Sequence, residues 1–376
     1  MTSTVPVWID DPTNAAILAV SEDRLTGFQL DPFGTIAERS GVDVTTVLDR
    51  IGAMLRSGTI RRVRQTLMAT NLAAGALCAW QVPPERLDEA FAWLFREDPF
   101  SGHVVIRSTD SVTAGSNYRL WTTLKVPQGF SLEKHAAFLG RTIGAQSYRL
   151  MPAKALFALG VGHVRRRGME PGARAAELAE VKDTNIVELD ALEWRVLSAI
   201  KRELAADEVV RDVWSARARE AGVSLAEFER IGKELNAKGV IGRFSTFLEH
   251  VKPQQHAGGQ SVTRYNALFH WKVPQGRETD AGREVGRHFI MTHAYWREGG
   301  PEFKGVNVMG VAHGMEKDAV LAHKAAIDDH LREAGIAFDY TNVFWGGRSE
   351  IKPSEIAPDA YVEFCHTHHL DPEAMR

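Results

Sequence analysis

Two stretches of the chain repeat the same order of hydrophobic and polar positions. Near the start, residues 35–51 place Gly41 between two short amphipathic segments, and a short strand follows. The second half repeats this order, with Gly222 between the segments and Gly239 ahead of the strand. A glycine between two amphipathic helices, followed by a strand, is typical of a winged helix-turn-helix. The pattern therefore predicts one such motif in each half.

The same alternation of strands and helices follows each predicted motif. In the first half, hydrophobic positions at i, i+3, i+4 and i+7 predict a helix over residues 84–97, and strict alternation over 118–126 predicts a strand. The order β-α-β-β-α-β, the ferredoxin-like unit, occurs in both halves. The predicted fold class is α+β, a tandem repeat of winged helix-turn-helix and ferredoxin-like domains. In the second half we predict strands at 265–274, 292–297, 306–312 and 338–344 and helices at 280–289 and 318–334.

The repeat also sets the domain boundaries. The linker is rich in Gly, Pro and charge, and the prolines and histidines after Lys352 favour a loosely packed tail. We expect residues 1–164 and 188–350 to superpose as one topology and to pair as an intramolecular pseudo-dimer. The predicted boundaries are winged helix-turn-helix domains at 1–64 and 188–245, ferredoxin-like domains at 65–164 and 246–350, a linker at 165–187 and a C-terminal tail at 351–376.

Composition limits the possible functions. The 376 residues are 44% hydrophobic and 25% charged, as in a globular chain of several domains. The net charge of −3 gives no global basicity, so a site for an anion must be a local basic cluster. Cys78 and Cys365 stand far apart and match no metal spacing, so we expect no disulfide framework. Without a signal-peptide pattern or a membrane-spanning apolar run, we expect a cytoplasmic protein.

Six short phrases carry a family resemblance. They are Trp80-Gln-Val-Pro-Pro, Leu120-Trp-Thr-Thr-Leu-Lys-Val-Pro, Gly144-Ala-Gln-Ser-Tyr-Arg-Leu-Met-Pro, Gly239-Val-Ile-Gly-Arg-Phe, Thr292-His-Ala-Tyr-Trp-Arg and Val308-Met-Gly-Val-Ala-His-Gly. The repeated modules resemble the Lrp/AsnC type, and the whole chain resembles siroheme decarboxylases of the fused, haem d1 biosynthesis kind. It departs from the family at Val105, where a tyrosine is common, and at Lys304-Gly-Val-Asn in place of a Pro-Tyr-Asn phrase.

The resemblance implies a carboxy-lyase. Its substrate would be siroheme, an iron tetrapyrrole with eight carboxylates, whose C12 and C18 acetates lose CO2 to become methyl groups. It implies no organic cofactor and no resident metal, because the iron arrives with the substrate. Whether the chain also forms a homodimer is left open.

The phrase around His293 suits this chemistry. Loss of CO2 leaves a carbanion-like centre that an acid must protonate, and a histidine can hold that proton near neutral pH. Residues two apart on a strand share a face, so His293, Tyr295 and Arg297 should point the same way. We predict His293 as proton donor or iron contact, Tyr295 beside it and Arg297 as carboxylate clamp. The alternative is a polar strand face that simply meets solvent.

Further candidates are weighed against ordinary structural roles. His313 is expected beside His293 on the neighbouring strand, and His250 follows the second wing. Both are catalytic candidates, although a strand-end histidine is often only a surface residue. His103 and Arg107 share a face in the first half, where the tyrosine is missing, so that pocket is expected to be degenerate. Further candidate carboxylate ligands, or solvated wing charges, are Arg61, Arg62 and Arg243.

Two other functions remain open on the sequence alone. A regulator that binds DNA and senses a haem-like ligand would read DNA through helices near 43–55 and 225–235. Both segments carry Asp or Glu where a DNA reader needs basic or amide side chains, so we expect no specific DNA binding. The third reading is a divergent paralogue that handles another haem precursor. The C-terminal histidines match no metal spacing, and we expect no metal site there.

Overall fold

The chain forms two compact units, and both halves of the sequence contribute to each. The computed structural model describes residues 5–159, 168–182, 185–249 and 264–376. None of the helices within these ranges is both long and apolar enough to cross a membrane. The first unit contains α1 (Pro12–Ser21), β1 (Leu25–Thr26), α2 (Pro32–Ser40), α3 (Val44–Ser57), β2 (Ile60–Leu67), α6 (Ala191–Lys201), α7 (Trp214–Glu220), α8 (Leu225–Ala237) and β7 (Ile241–Leu248).

The second unit contains the remaining elements. Its first-half elements are β3 (Ala73–Gln81), α4 (Leu87–Arg96), β4 (Ser101–Ser108), β5 (Leu120–Pro127), α5 (Leu132–Thr142) and β6 (Ser147–Leu159). Its second-half elements are β8 (Tyr265–Lys272), α9 (Glu278–Gly286), β9 (Met291–Arg297), β10 (Val308–Gly314), α10 (Lys317–Glu333), β11 (Tyr340–Ile351) and α11 (Pro358–Thr367). Each half thus has the order β-α-β-β-α-β, and α11 is additional.

The first unit, called the helical unit below, contains a sheet to which both halves of the sequence contribute strands. Helix α2 ends at Gly41, whose φ of 71° is left-handed, and Asp43 begins α3 by accepting a hydrogen bond from the Thr46 amide at 3.0 Å. The strand order is β1-β7-β2, so a second-half strand lies between two first-half strands. The rings of Phe33 and Phe244 meet edge to face beneath this sheet at 5.6 Å.

The eight strands of the other unit close into a barrel. Each half keeps the ferredoxin-like strand order, β4-β5-β3-β6 in the first and β9-β10-β8-β11 in the second. All neighbouring pairs are antiparallel, and the halves join edge to edge where β11 pairs with β4 and β6 pairs with β9. Closure leaves neither sheet with an unpaired edge. The sequence predicted the two units of strands but not that they close into one barrel.

Alternation along the strands separates an outer face from an inner one. On the outside, a first-half core around Trp80 and Leu124 packs under α4 and α5. A second-half core around Phe269 and Trp271 packs under α9 and α10. The barrel interior has its own apolar cluster, which includes the fully buried Trp121. The barrel therefore has three cores, two outside and one inside.

The expectation of a loosely packed C-terminal tail is wrong. Helix α11 buries Tyr361 and Cys365 completely in the first-half core, and Met375 is buried there as well. The Tyr361 ring stacks on Phe130 at 4.3 Å. The sequence concealed this because α11 spans only 10 residues and the prolines ahead of it suggested irregular chain. His368 also packs on the aromatic residues Trp93, Phe138 and Phe364.

A buried polar network anchors α11. The Tyr361 hydroxyl lies 3.1 Å from His135 Nδ1, and His135 Nε2 lies 3.4 Å from the Asp98 carboxylate. Asp98 also accepts hydrogen bonds from the Ser101 hydroxyl and the Phe100 amide. Burial opposes ionisation of Asp98, but His135 and these hydrogen bonds outweigh it and lower the pKa of the carboxyl group. Helix α11 thus covers a polar network that the first half of the chain forms.

Replacing Tyr361 tests whether α11 is a structural part of the first half. Tyr361→Ala would empty a fully buried site and should lower the free energy of unfolding by about 3–5 kcal/mol, the usual cost for a large aromatic residue. Urea denaturation followed by near-UV circular dichroism measures this. The matched control is His366→Ala on the exposed face of the same helix, which should change stability by less than about 0.5 kcal/mol. Equal stability of both variants would contradict the assignment.

Candidate active site

The barrel interior gathers polar side chains from both halves. Trp121, Met309 and Phe344 pack together inside, so residues two positions away on the same strands share that face. Residues in register on neighbouring strands point to the same side of the sheet. The strand pairings therefore identify the inward residues on the other strands of the barrel. The inward polar residues include His103, Arg107, Lys125, Arg149, Asn266, His270, His293, Tyr295, Arg297 and His313.

Strand β9 places three of the predicted residues together. The Tyr295 hydroxyl lies 3.2 Å from His293 Nδ1, and the two rings are nearly parallel, with an interplanar angle of 18°. The Arg297 guanidinium lies 4.5 Å from the centre of the Tyr295 ring. Between them, Ala294 faces the outer core. The strand period therefore puts all three on one face, as expected, while their chemical roles stay predictions.

Burial keeps Tyr295 neutral. It raises the pKa of the phenol, and the neighbouring Arg297 only partly offsets this effect. The neutral hydroxyl can accept a hydrogen bond from His293 Nδ1 when the imidazole is protonated on both nitrogens. Arg297 is itself buried, which lowers the pKa of its guanidinium, and it donates from Nη1 to the Met151 carbonyl. The group is thus a histidine oriented by a tyrosine beside a buried cation.

His313 has both ring nitrogens in use. Arg107 can only donate, so its 3.2 Å contact with Asn266 fixes the Asn266 Oδ1 atom on the Arg107 side. The Asn266 amide nitrogen must then donate to His313 Nε2, 2.9 Å away. Thr292 donates to the Val311 carbonyl at 3.0 Å, so its oxygen accepts from His313 Nδ1 at 3.4 Å. This assigns His313 a neutral form with its proton on Nδ1, which suits a positioned residue better than the proton donor.

The structure corrects the expectation of a separate, degenerate first-half pocket. His103 and Arg107 face the same interior as His293, because the strands of both halves close one barrel. Arg107 is buried, and through Asn266 it reaches the second-half His313. His103 Nε2 lies 2.8 Å from the Ser349 hydroxyl on β11. The halves therefore contribute to one interior, which reasoning on each half alone could not reveal.

Besides Asn266, three inward residues were missed by the sequence reasoning. Burial, with a smaller contribution from Arg297, lowers the pKa of Lys125 to about 7. Burial and then Arg107 lower the pKa of His270 to about 3, so this fully buried histidine is neutral. Arg149 lies 3.9 Å from Glu302. The alternation of Leu120-Trp-Thr-Thr-Leu-Lys already placed Lys125 on the Trp121 face, and strand parity was the signal that could have found it.

The barrel strands contribute cations but no carboxylate to the interior, and the carboxylate beside Arg149, that of Glu302, lies on the segment between β9 and β10. Glu350 is the only Asp or Glu in the eight barrel strands, and its register partner Val104 belongs to the outer core. The buried Nε atoms of Arg107, Arg149 and Arg297 have no hydrogen-bond partner among the described residues. A buried donor without a partner costs free energy. The interior is therefore suited to a ligand that brings several carboxylates.

Comparison with known proteins agrees with this chemistry. A model of the AsnC-like ligand binding domain matches residues 72–158. The siroheme decarboxylase alpha subunit of Desulfovibrio desulfuricans is 30% identical over 141 residues, which is 36% of this chain and 75% of that subunit. The chain belongs to the siroheme decarboxylase family. The family's beta subunit from Methanosarcina barkeri is 26% identical over 142 residues, covering 37% of this chain and 90% of that subunit.

Solved structures show the same fold over the full length. The crystal structure of the siroheme decarboxylase NirDL superposes with a TM-score of 0.65 at 18% identity, covering 96% of this chain and 100% of that one. NirDL in complex with an iron-uroporphyrin III analogue gives a TM-score of 0.64, also at 18% identity, over 95% of this chain and 99% of that one. At this identity the likeness concerns the fold alone.

Three of the remaining predicted residues belong to the helical unit. In the helical unit, Arg62 pairs with Glu203 at 3.1 Å, and Arg243 donates to the Glu22 carbonyl at 3.3 Å. Arg61 also lies on β2 in that unit. His250 falls outside the described residues. Within the described ranges, no group of three or more His, Cys, Asp or Glu side chains is placed to hold a metal ion.

The proton arrangement at His313 can be tested by changing Asn266. Asn266→Asp replaces the donating amide with a carboxylate, so His313 Nε2 should become protonated and the His313 pKa should rise by about one unit or more. Nitrogen-15 NMR of the histidine side chains reports both changes. Asn342→Asp adds the same charge on β11, where Asn342 donates to the Tyr340 hydroxyl, and serves as the matched control. A wild-type His313 that carries its neutral proton on Nε2 would disprove the assignment.

Proposed function

We propose that this protein is a siroheme decarboxylase that removes CO2 from the C12 and C18 acetates of siroheme to give didecarboxysiroheme. The observation that carries the proposal is the barrel interior, which has several cations and unfilled Arg donors but no inward carboxylate in its strands. Siroheme brings eight carboxylates, and planar guanidinium groups bind carboxylates with two parallel hydrogen bonds. Membership of the siroheme decarboxylase family points to the same substrate. The iron comes with the substrate, so the proposal includes no further cofactor.

In the proposed reaction, His293 is the proton donor. The bond between the acetate methylene carbon and its carboxylate carbon breaks, and CO2 leaves. The electron pair stays on the methylene carbon, where the macrocycle stabilises it, and the Nε2 proton of the His293 imidazolium converts the methylene to a methyl group, which leaves His293 as a neutral imidazole. Tyr295 holds Nδ1, so the ring keeps the orientation that donation needs. Arg297 and Arg107 bind substrate carboxylates, and His313 positions Asn266 and Arg107.

The second candidate function is that of a regulator that binds DNA and senses a haem-like ligand. We infer that the paired helices of the first unit descend from two winged helix-turn-helix motifs, within an intramolecular pseudo-dimer in the cytoplasm. The surfaces of α3 and α8 argue against sequence-specific DNA recognition. On α8, Arg230 pairs with Glu234 at 2.7 Å and Lys233 pairs with Glu229 at 2.6 Å, which neutralises both cations. On α3, Asp49 is exposed.

Anaerobic incubation with siroheme, followed by mass analysis, tests the function. We expect two successive losses of CO2. His293→Ala should lower turnover roughly 10²–10⁴-fold, the usual range for loss of a general acid, with much less effect on binding. Arg297→Ala should instead weaken binding, because it removes a carboxylate partner. His103→Ala is the matched control and should be milder, since its neighbour Val105 replaces a tyrosine. Full activity in His293→Ala, or greater damage from His103→Ala, would show that the wrong histidine was chosen.

The regulator hypothesis predicts tight, sequence-specific DNA binding, and we expect the opposite. Like charges on α3 and the ion pairs on α8 should keep the affinity for duplex DNA low. Fluorescence anisotropy with the protein's own promoter at physiological salt should show no sub-micromolar, sequence-specific binding. A scrambled duplex of equal length is the control. Tight binding to the promoter but not to the scrambled duplex would favour the regulator.

A further inference from the structure

Two cations flank two small residues in one row of the barrel wall. Lys125 on β5 is in register with Gly75 on β3, and Arg297 on β9 is in register with Ala153 on β6. Strands β3 and β6 are neighbours, with Ala76 opposite Pro152, so Gly75 and Ala153 are adjacent. The row therefore runs from a lysine across two side chains of minimal size to an arginine. Because Gly75 and Ala153 carry nothing larger than a methyl group, they leave space that a longer side chain can enter.

The Lys125 side chain extends into this space. A Cβ atom added at Gly75 would lie 2.6 Å from Lys125 Nζ and 2.8 Å from its Cδ. The stem thus lies across β3 over the glycine, in the direction of β6 and β9. Any larger residue at position 75 would displace it. The absence of a side chain at Gly75 is what allows the ammonium group to approach the Arg297 side of the row.

Among the residues that the structure describes, Lys125 has no partner for its charge. The ammonium group forms no hydrogen bond or ion pair with any described residue, and it lies close enough to Arg297 for mutual repulsion. The titratable groups that face it are His103 on β4, Arg149 on β6, and His293, Tyr295 and Arg297 on β9. None of these is an acid that is ionised near neutral pH, and the inner face of β3 contributes no titratable group. Two neighbouring buried cations without an anion between them cost free energy, so the pair is suited to an anionic ligand.

We propose that Lys125 and Arg297 together bind one carboxylate of the substrate, and that Lys125 takes up a proton as that carboxylate enters. This inference rests on the proposed function and adds a binding residue from the first half. The free lysine, with a pKa of about 7, is largely neutral at pH 8. A carboxylate beside it favours the ammonium form and raises the pKa, so binding at pH 8 must draw a proton from solvent. Below pH 6 the lysine is already charged, and no such uptake is expected.

Calorimetric titration with the iron complex of uroporphyrin III, an octacarboxylate, measures this uptake. The binding enthalpy is compared at pH 8 in two buffers that differ in ionisation enthalpy. The wild type should take up about 0.9 proton more than Lys125→Met, the fraction of a lysine of pKa about 7 that is neutral at pH 8. Lys125→Met should also bind roughly 10–100-fold more weakly at pH 6, the worth of a charge-assisted hydrogen bond. Lys125→Arg, which stays charged at pH 8, should keep the affinity and lose the uptake.

The outcomes separate the two proposals. Equal proton uptake by the wild type and Lys125→Met, with binding intact, overturns the inference and leaves the decarboxylase function standing. A loss of kcat in Lys125→Met without loss of affinity also overturns it, because Lys125 would then act in the chemical step. If the wild type neither binds the iron porphyrin nor converts siroheme, the proposed function fails and the inference fails with it. Lys125→Arg guards against a folding defect, because it retains the long stem and the charge.

Discussion

The structure depends on edge-to-edge hydrogen bonding between the two halves. Because β11 pairs with β4 and β6 pairs with β9, every barrel strand has a hydrogen-bonded neighbour on both sides. The interior can then be occupied by side chains with their own chemistry. Two separate ferredoxin-like sheets would each leave strand edges to be covered, and their inner faces would need apolar contact to stay together. In the closed barrel, the apolar cluster around Trp121 fills only part of the interior, and the remaining inward positions carry Arg, Lys, His, Asn and Tyr.

Closure also makes the site belong to both halves at once. The hydrogen-bonded series from Arg107 through Asn266 to His313 begins on a first-half strand and ends on a second-half strand. Lys125 and Arg297 are likewise contributed by different halves. A duplicated chain whose copies face one interior is free to diverge, because a residue lost from one copy can be supplied by the other. Val105 in the first half and Tyr295 in the second illustrate this asymmetry.

Local sequence patterns predicted the elements well and their partners poorly. The periods of 3.6 and 2 located the two β-α-β-β-α-β units, and the period of 2 placed His293, Tyr295 and Arg297 on one face. Those patterns extend over a few residues and carry no record of which strand lies beside which. The contact of Arg107 with Asn266 joins residues 159 positions apart, and nothing in either neighbourhood points to the other. Alternation along β5 could have placed Lys125 on the inner face. The lack of a carboxylate partner among the described residues could not have been predicted, because it depends on every strand of the barrel. Helix α11 was missed because its short apolar face is complementary to a core formed more than 200 residues earlier.

The packing of α11 has a consequence for how the protein is made. Tyr361, Cys365 and Met375 complete the outer core of the first half, yet they are synthesised more than 200 residues after the strands and helices that they cover. The first half therefore emerges with the surface around Phe100, Phe130 and His135 uncovered until α11 has been synthesised. Domains usually fold as they are synthesised, N-terminal domain first. Here that order is broken, because a core formed by an early part of the chain is completed by a helix synthesised much later.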